Sequence, residues 1–183
     1  MSRAEGGDVR LRLLAAALSL GAREGVGALS IQAIAATAGV SKALVLYHFD
    51  DKQALLVALL EHVVAGDVAA LESAARAEEP VTALRALAAD ADGVAARGLL
   101  VTLSREAALR TEASARRAVR EVAATTLATA VLRSAGLRPR IARALLGQVV
   151  LQQLDGLATA GATPDVREGA LDAFTLALLS LGE

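Results

Sequence analysis

The sequence predicts an all-α chain, with an N-terminal head of three helices joined through a long fourth helix to a C-terminal helical body. Three observations carry that prediction. Alanine and leucine fill the chain, and the aromatic residues are reduced to Tyr47, Phe49 and Phe174, a composition that favours helix. The three prolines, at positions 80, 139 and 164, each stand at a helix start or boundary. The stretch from Ser30 to Leu55, SIQAIAATAGVSKALVLYHFDDKQAL, reads as a short helix, a tight turn at Gly39, a second short helix from Ser41 and the start of a long helix at Asp51.

Taken in order, residues 1 to 7 are expected to be a loosely held arm. Asp8 is placed to cap a helix running to about Glu24, with Val9, Leu13, Ala16 or Ala17, and Leu20 on its inner face and Leu11, Leu14 and Leu18 widening the stripe. Gly25 and Gly27 end it. Ser30 caps the second helix, whose inner face is Ile31, Ile34, Ala35 and Ala38. Gly39 suits a left-handed turn position that side chains enter at a cost. Ser41 caps the third helix, with Val45 and Phe49 inward at i and i+4, and Asp51 caps the fourth, expected from Lys52 to about Ala77. The apolar face of that fourth helix, from Leu55 to Val68, is too wide for a surface helix, so it spans both parts of the molecule. Beyond it, Pro80 opens a segment to about Asp92, Gly93 and Gly98 punctuate the chain, and Leu99 to Leu109 is expected as a short apolar helix. A long helix from Thr111 or Glu112 to about Ser134 carries Arg116, Arg117, Arg120 and Glu121 on its outer face. The last two helices span 139 to 160 and 165 to 181. The organisation is therefore a head, residues 1–52, and a body, residues 53–183.

Bulk properties remove several function classes. There is no cysteine, so neither a disulfide framework nor a thiolate metal site exists, and His48 and His62 are the two histidines. No metal site and no cofactor are expected. An enzyme needs a placed acid–base pair or nucleophile, and no serine, threonine, aspartate or glutamate stands beside a histidine in a recognisable arrangement. The net charge of -1 argues against a broad basic coat, although a small local positive face suffices for a nucleic-acid reader. The N-terminus MSRAEGGDVR is polar and mixed in charge, so no signal peptide is expected. The apolar window from Leu145 to Leu157 is interrupted by Gln148, Gln152, Gln153 and Asp155, so a buried helix is expected and no membrane partner. With 55% hydrophobic residues, an additional buried interface is expected.

The second short helix of a helix-turn-helix enters the major groove, where base edges are distinguishable. Its residues must divide into an inward and a groove-facing set. Here the inward set is Val40, Val45 and Phe49, and the outward set is Ser41, Lys42, Ala43, Leu44, Leu46, Tyr47 and His48. Both lysines of the chain, Lys42 and Lys52, flank this helix. Arg3, Arg10, Arg12 and Arg23 can grip the sugar–phosphate rails, Arg3 through a minor groove. Residues 1 to 52 nevertheless hold six basic and five acidic residues.

The run from Leu29 to Leu60 resembles the DNA-binding domain of the tetracycline-repressor family of bacterial transcriptional regulators. The matching residues are Ser30 as the cap, Ile34 and Ala35, the turn Ala38-Gly39-Val40-Ser41-Lys42, then Tyr47-His48-Phe49, Lys52 and Ala54-Leu55-Leu56. The resemblance implies that Lys42 contacts DNA, that Leu44 abuts a base, that Tyr47 and His48 contact bases and phosphates, and that Lys52 meets a phosphate. The family has Gly and Tyr where this chain has Ala43 and Leu46. Leu46 cannot donate to a phosphate, and Leu44 offers only apolar contact, as with a thymine methyl.

The resemblance further implies a small-molecule effector enclosed by the body. Its candidate walls are Leu59, His62 and Gly66 from the fourth helix, Leu87 from the fifth, Leu99, Leu103 and Glu106 from the sixth, and Gln153 from the eighth. These walls are mostly aliphatic and small, which favours an apolar or amphipathic ligand over a stacked multi-ring one. The last two helices carry apolar residues around much of their girth, including Leu145 and Val149 on one and Phe174 on the other. A stripe of small residues, Ala170, Ala173 and Ala177, lets another helix approach closely. A four-helix contact between two protomers follows; the alternative is that both helices are buried in one monomer. The expected function is a ligand-responsive, cytoplasmic, nucleoid-associated repressor, binding a palindromic operator as a homodimer. The competing reading is a helical protein-interaction module with weak or vestigial DNA binding, which the near-neutral head and Leu46 favour.

Overall fold

The structure, a computed structural model, describes residues 3–183, with side chains from residue 8 onward. It is all-α. The elements are α1 (Arg3–Glu24), α2 (Ile31–Ala38), α3 (Lys42–His48), α4 (Lys52–Arg76), α5 (Pro80–Ala89), α6 (Ala91–Leu103), α7 (Arg110–Ser134), α8 (Arg143–Thr159) and α9 (Pro164–Ser180). Short 3-10 turns at Val26–Ala28 and Ala107–Leu109 precede α2 and α7. The N-terminal helices form a head that α4 joins to the helical body.

α1 begins at Arg3, five residues before the expected start, so Asp8 lies inside the helix and caps nothing. Arg3, Ala4 and Glu5 are good helix formers, and an acidic residue in the first turn suits the helix dipole. Residues 1 and 2 and the side chain of Arg3 lie outside the described residues. Leu13, Leu14, Ala17 and Leu20 are buried, whereas Leu11 is 56% exposed and does not widen the inner stripe.

The body differs from the sequence expectation at two of its glycines. α6 runs unbroken through Gly93 and Gly98. The Asp90 carboxylate caps it, accepting from the Gly93 N–H at 3.1 Å. A Cβ at Gly93 would run into that carboxylate, and one at Gly98 would lie 3.0 Å from the Ala158 carbonyl oxygen. Both glycines thus mark close approaches within a helix. α8 starts at Arg143 instead of 139 because residues 138–140 pair with the C-terminus. Arg138 and Glu183 exchange backbone hydrogen bonds at 2.8 and 2.9 Å, and the Arg140 N–H donates to the Leu181 carbonyl at 2.8 Å. Pro139, lacking an N–H, sits in this isolated bridge opposite Gly182.

Two apolar clusters share α4. The first joins α1, α2, α3 and α4 as far as Val64 with Leu99, Leu100, Leu103 and Leu109. The second joins Leu71 and Ala74 of α4 with α5, α7, α8 and α9. The packing therefore changes within α4, well past the boundary at residues 52 and 53, and α6 closes the head's core. Between the clusters lies Asp67, a carboxylate with 8% of its surface exposed. α4 is also long and apolar enough to cross a membrane by composition; here it is the central core helix that both clusters share.

α7 packs against α4 and α8, and α9 packs chiefly on α5. At the α7–α8 crossing Gly147 is buried, and a Cβ there would collide with the Glu121 carbonyl oxygen and the Thr125 hydroxyl. Gly156, one face away on the same helix, would meet nothing within 4 Å. Urea unfolding should therefore separate the two: Gly147→Ala loses about 1–3 kcal/mol to overpacking, while Gly156→Ala gains up to about 1 kcal/mol of helix propensity. Equal shifts of the same sign would contradict the close crossing.

Candidate nucleic-acid interface and the cleft behind it

The reading head is built from local hydrogen bonds. The Ser30 hydroxyl accepts from the Ala33 N–H at 3.1 Å and starts α2. Gly39 adopts φ 68°, ψ 34°, the left-handed conformation that ends α2. The Val40 N–H then reaches back to the Ala35 carbonyl at 3.0 Å. Ser41 starts α3, accepting from the Leu44 N–H at 3.2 Å, and Asp51 starts α4, accepting from the Ala54 N–H at 2.8 Å. Each serine hydroxyl keeps its own O–H free to donate.

These caps and the helical period split α3 in two. Val45 and Phe49 are buried at 0% and 3% exposure. Ser41, Lys42, Ala43, Leu46, Tyr47 and Lys52 are exposed, Tyr47 at 75%, and Leu44 is half-buried. His48 departs from this face. It is half-buried, its Nε2 is enclosed without a hydrogen-bond partner among the described residues, and it packs edge-on against Tyr47 at 5.2 Å between ring centroids. Two arginines of α1, Arg10 and Arg23, are committed elsewhere. The Arg10 guanidinium lies 4.8 Å from the centre of the Phe49 ring, a cation–π contact that fixes α1 on α3. Arg23 bonds Ser19 at 3.0 Å and pairs with Glu24 at 3.5 Å. Among the described residues, Lys42 and Lys52, which flank α3, and Arg12 on α1 form no ion pair.

Behind the head, Asp67 organises an ionic layer. Its Oδ1 accepts from Arg97 Nε at 2.9 Å, and its Oδ2 from Arg120 Nε at 2.7 Å. The two Nη atoms of Arg120 grip Asp155 at 3.1 and 2.7 Å, and Arg97 Nη1 donates to the Leu87 carbonyl at 3.3 Å. Arg97 and Arg120 are 3% and 7% exposed. Arg120 was expected on the outer face of α7; the structure buries it because Asp67 needs a cation in the interior. Burial works against its charge, but the hydrogen bond to Asp155 and the field of Asp67 outweigh that and hold its pKa above the ordinary arginine value.

Beside this layer opens a cleft of about 420 Å³, lined by residues of α4, α6, α7 and α8: Leu60, Val64, Leu100, Val101, Ser104, Arg105, Arg110, Ala113, Ser114, Arg117, Arg120 and Asp155. None of the eight residues expected to wall an effector site lines it. Leu59, Leu99 and Leu103 are closed into the head's core, Leu87 packs against the second cluster, Gly66 and Glu106 face solvent, and His62 and Gln153 are half-buried. Arg105 and Arg110, next to Glu106 and near Glu112, do not stand out in the sequence, because such a run suits a solvated, paired helix face. One signal was available: Asp67 stands alone in the apolar run VVAGDVAAL, and an isolated carboxylate there demands cations from distant helices.

Of the residues expected at a protomer interface, Leu145 (48% exposed), Ala173 and Ala177 are exposed, and Val149 and Ala170 are half-buried. Phe174 is not available to a partner: at 8% exposure it packs with Leu171 and Leu178 in the chain's own core, since it shares their helical stripe. Among the described residues no group of three or more His, Asp or Glu side chains can hold a metal ion.

Residues 13–59 match the family model for bacterial regulatory proteins, tetR family. That match covers the last half of α1, all of α2 and α3, and the start of α4, so the similarity to the tetR family is carried by the head. No curated protein matches the chain. Among solved structures, a TetR family transcription regulator from Marinobacter aquaeolei is similar over 100% of both chains, at 22% identity and a TM-score of 0.67. Escherichia coli NemR in its reduced form is similar over 96% of this chain and 97% of its own, at 16% identity and a TM-score of 0.75. SmeT, solved as a complex with triclosan, is similar over 93% of this chain and 90% of its own, at 23% identity and a TM-score of 0.64. At these identities the likeness outside residues 13–59 is one of fold.

Two variants test this construction by chemical denaturation. Asp67→Ala leaves Arg97 and Arg120 buried with a carboxylate missing and should lose about 3–5 kcal/mol. Ser41→Ala removes one cap and should lose about 1 kcal/mol. An unchanged midpoint for Asp67→Ala would rule out the buried ionic layer.

Proposed function

We propose, on the premise of the head's similarity to the tetR family, that the chain is a ligand-responsive transcriptional regulator that represses by binding a palindromic operator as a homodimer. The observation that carries this is the division of α3, with Val45 and Phe49 fully committed to the core and Lys42, Ala43, Leu46 and Tyr47 presented outward. A helix held only by its inner face can lie in a major groove without disturbing the fold. Lys42 and Lys52 meet phosphates, and Ser30 and Ser41 donate their free O–H groups to the backbone. Leu44, Leu46 and Tyr47 supply apolar and aromatic contact to base edges, while His48 acts mainly from beneath Tyr47. Arg3 stands at the outer end of α1, where a basic residue can follow a minor groove.

A homodimer is supported by apolar side chains that the chain itself leaves uncovered on its last helices, Leu145 at 48% and Leu176 at 70% exposure. The small Ala173 and Ala177 lie beside Leu176 on α9, with Val149 and Ala170 at the margin. Two heads must then meet grooves about one turn, roughly 34 Å, apart. Because α4 belongs to both apolar clusters, a small-molecule effector that shifts it changes that spacing and releases the operator. The complex of SmeT with triclosan supports a small-molecule effector for this fold. The protein would work in the cytoplasm, at the nucleoid.

Affinity selection of genomic DNA fragments at one fixed, moderate salt concentration tests the reading. An enriched palindrome with half-sites about one turn apart is expected. Lys42→Ala should weaken binding to all sequences alike and lower the salt slope by about one unit, as loss of one phosphate contact does. If no site is enriched at any salt concentration, the helical interaction module takes the place of the DNA reader.

A further inference from the structure

We propose that the cleft between α4, α6, α7 and α8 binds an organic anion with an apolar body, such as a medium-chain carboxylate, and that Arg120 links its occupancy to α4. The binding step stands on the cleft alone; the consequence for DNA rests on the regulatory reading above.

The charge of the walls selects the ligand. Four arginines and one aspartate line the cleft. Arg120 is neutralised by Asp67 and Asp155, and Arg117 by Glu121 at 2.9 Å. Arg105 and Arg110 are exposed and form no ion pair among the described residues. Two uncompensated guanidinium groups above a low-dielectric wall make a positive potential that attracts a carboxylate and repels a cation, and the guanidinium fork matches a carboxylate in two-point contact. The opposite wall is aliphatic: Leu60, Val64 and Leu100 are buried in the head's core and reach the cleft. They suit a hydrocarbon chain, and no aromatic side chain lines the cleft to hold a flat ring by stacking. A volume of about 420 Å³ falls in the range of small-molecule sites.

The same wall reaches the middle of α4. Arg120 holds Asp155 with both Nη atoms and Asp67 with Nε. A second carboxylate in the cleft competes with Asp155 for the Nη pair, loosens the hold of α8 on α7 and changes the charge balance around Asp67, where the two apolar clusters meet. Arg120 is thus a positioning residue between the cleft and the helix that carries the head.

Isothermal titration calorimetry of the full chain with octanoate, octanamide and acetate, at one fixed salt concentration, tests the assignment. Octanoate should bind, with octanamide and acetate each weaker by about tenfold or more, as loss of the charge or of the apolar body predicts. The Arg105→Ala, Arg110→Ala double variant should lose about tenfold in octanoate affinity with its melting temperature unchanged, both side chains being exposed. Asp155→Asn, which removes the internal competitor, should tighten octanoate; a purely structural role for Asp155 would weaken it. Octanamide binding as tightly as octanoate, full affinity in the double variant, or no binding of any probe would each overturn the anion site. Octanoate binding that leaves operator affinity unchanged would keep the site and overturn its link to α4. Failure to find any operator would strike the regulatory reading alone, because the calorimetry uses no DNA.

Discussion

A carboxylate in the middle of an apolar helix must be answered, and much of this fold is the answer to Asp67. Its two oxygens are held by Arg97 of α6 and Arg120 of α7, and Arg120 in turn fixes Asp155 of α8. Three helices therefore register on one point of α4. An apolar pair of the same volume would hold them at least as strongly, since burying charges costs much of what their attraction returns. The ionic layer adds direction: guanidinium and carboxylate planes must align, so α6, α7 and α8 cannot slide along α4 as leucine surfaces could.

That layer also divides the hydrophobic interior. Toward the N-terminus, α4 packs with α1, α2, α3 and the end of α6; toward its C-terminus it packs with α5, α7, α8 and α9. The head is thus not a bead on a linker. Its core is closed by Leu99, Leu100 and Leu103 from the body, and α4 shares that apolar cluster with α3, so a displacement of α4 is felt there. The buried ionisable groups, Asp67, Arg97 and Arg120, lie where the two clusters meet, beside a cleft open to solvent, which is where a ligand would act on both at once.

The contrast between head and body shows what kinds of interaction a sequence exposes. Ser30, Gly39, Ser41 and Asp51 act on partners three to five residues away, so their roles follow from spacing alone. The inward positions Val45 and Phe49 follow from the helical period. Glycine is more ambiguous: Gly39 needs its left-handed conformation, whereas Gly93, Gly98 and Gly147 are small because something stands close by. A glycine read only along the chain looks like a stop in both cases, which is why α6 was expected to begin late.

By itself the sequence determined the all-α class, the caps and turn of the head, the outward face of α3 and the length of α4, because those depend on helix period and on bonds within one turn. The tertiary structure decided which arginines are buried, where the cleft opens and which apolar residues stay uncovered. Arg97, Arg120 and Asp155 find partners 30, 53 and 35 residues away. Nothing in the local pattern distinguishes Arg120 from Arg117, three residues earlier on the same helix. One faces Asp67 and the other faces water, and that difference is set by how α7 rotates against α4 when the leucine surfaces on either side of the ionic layer close.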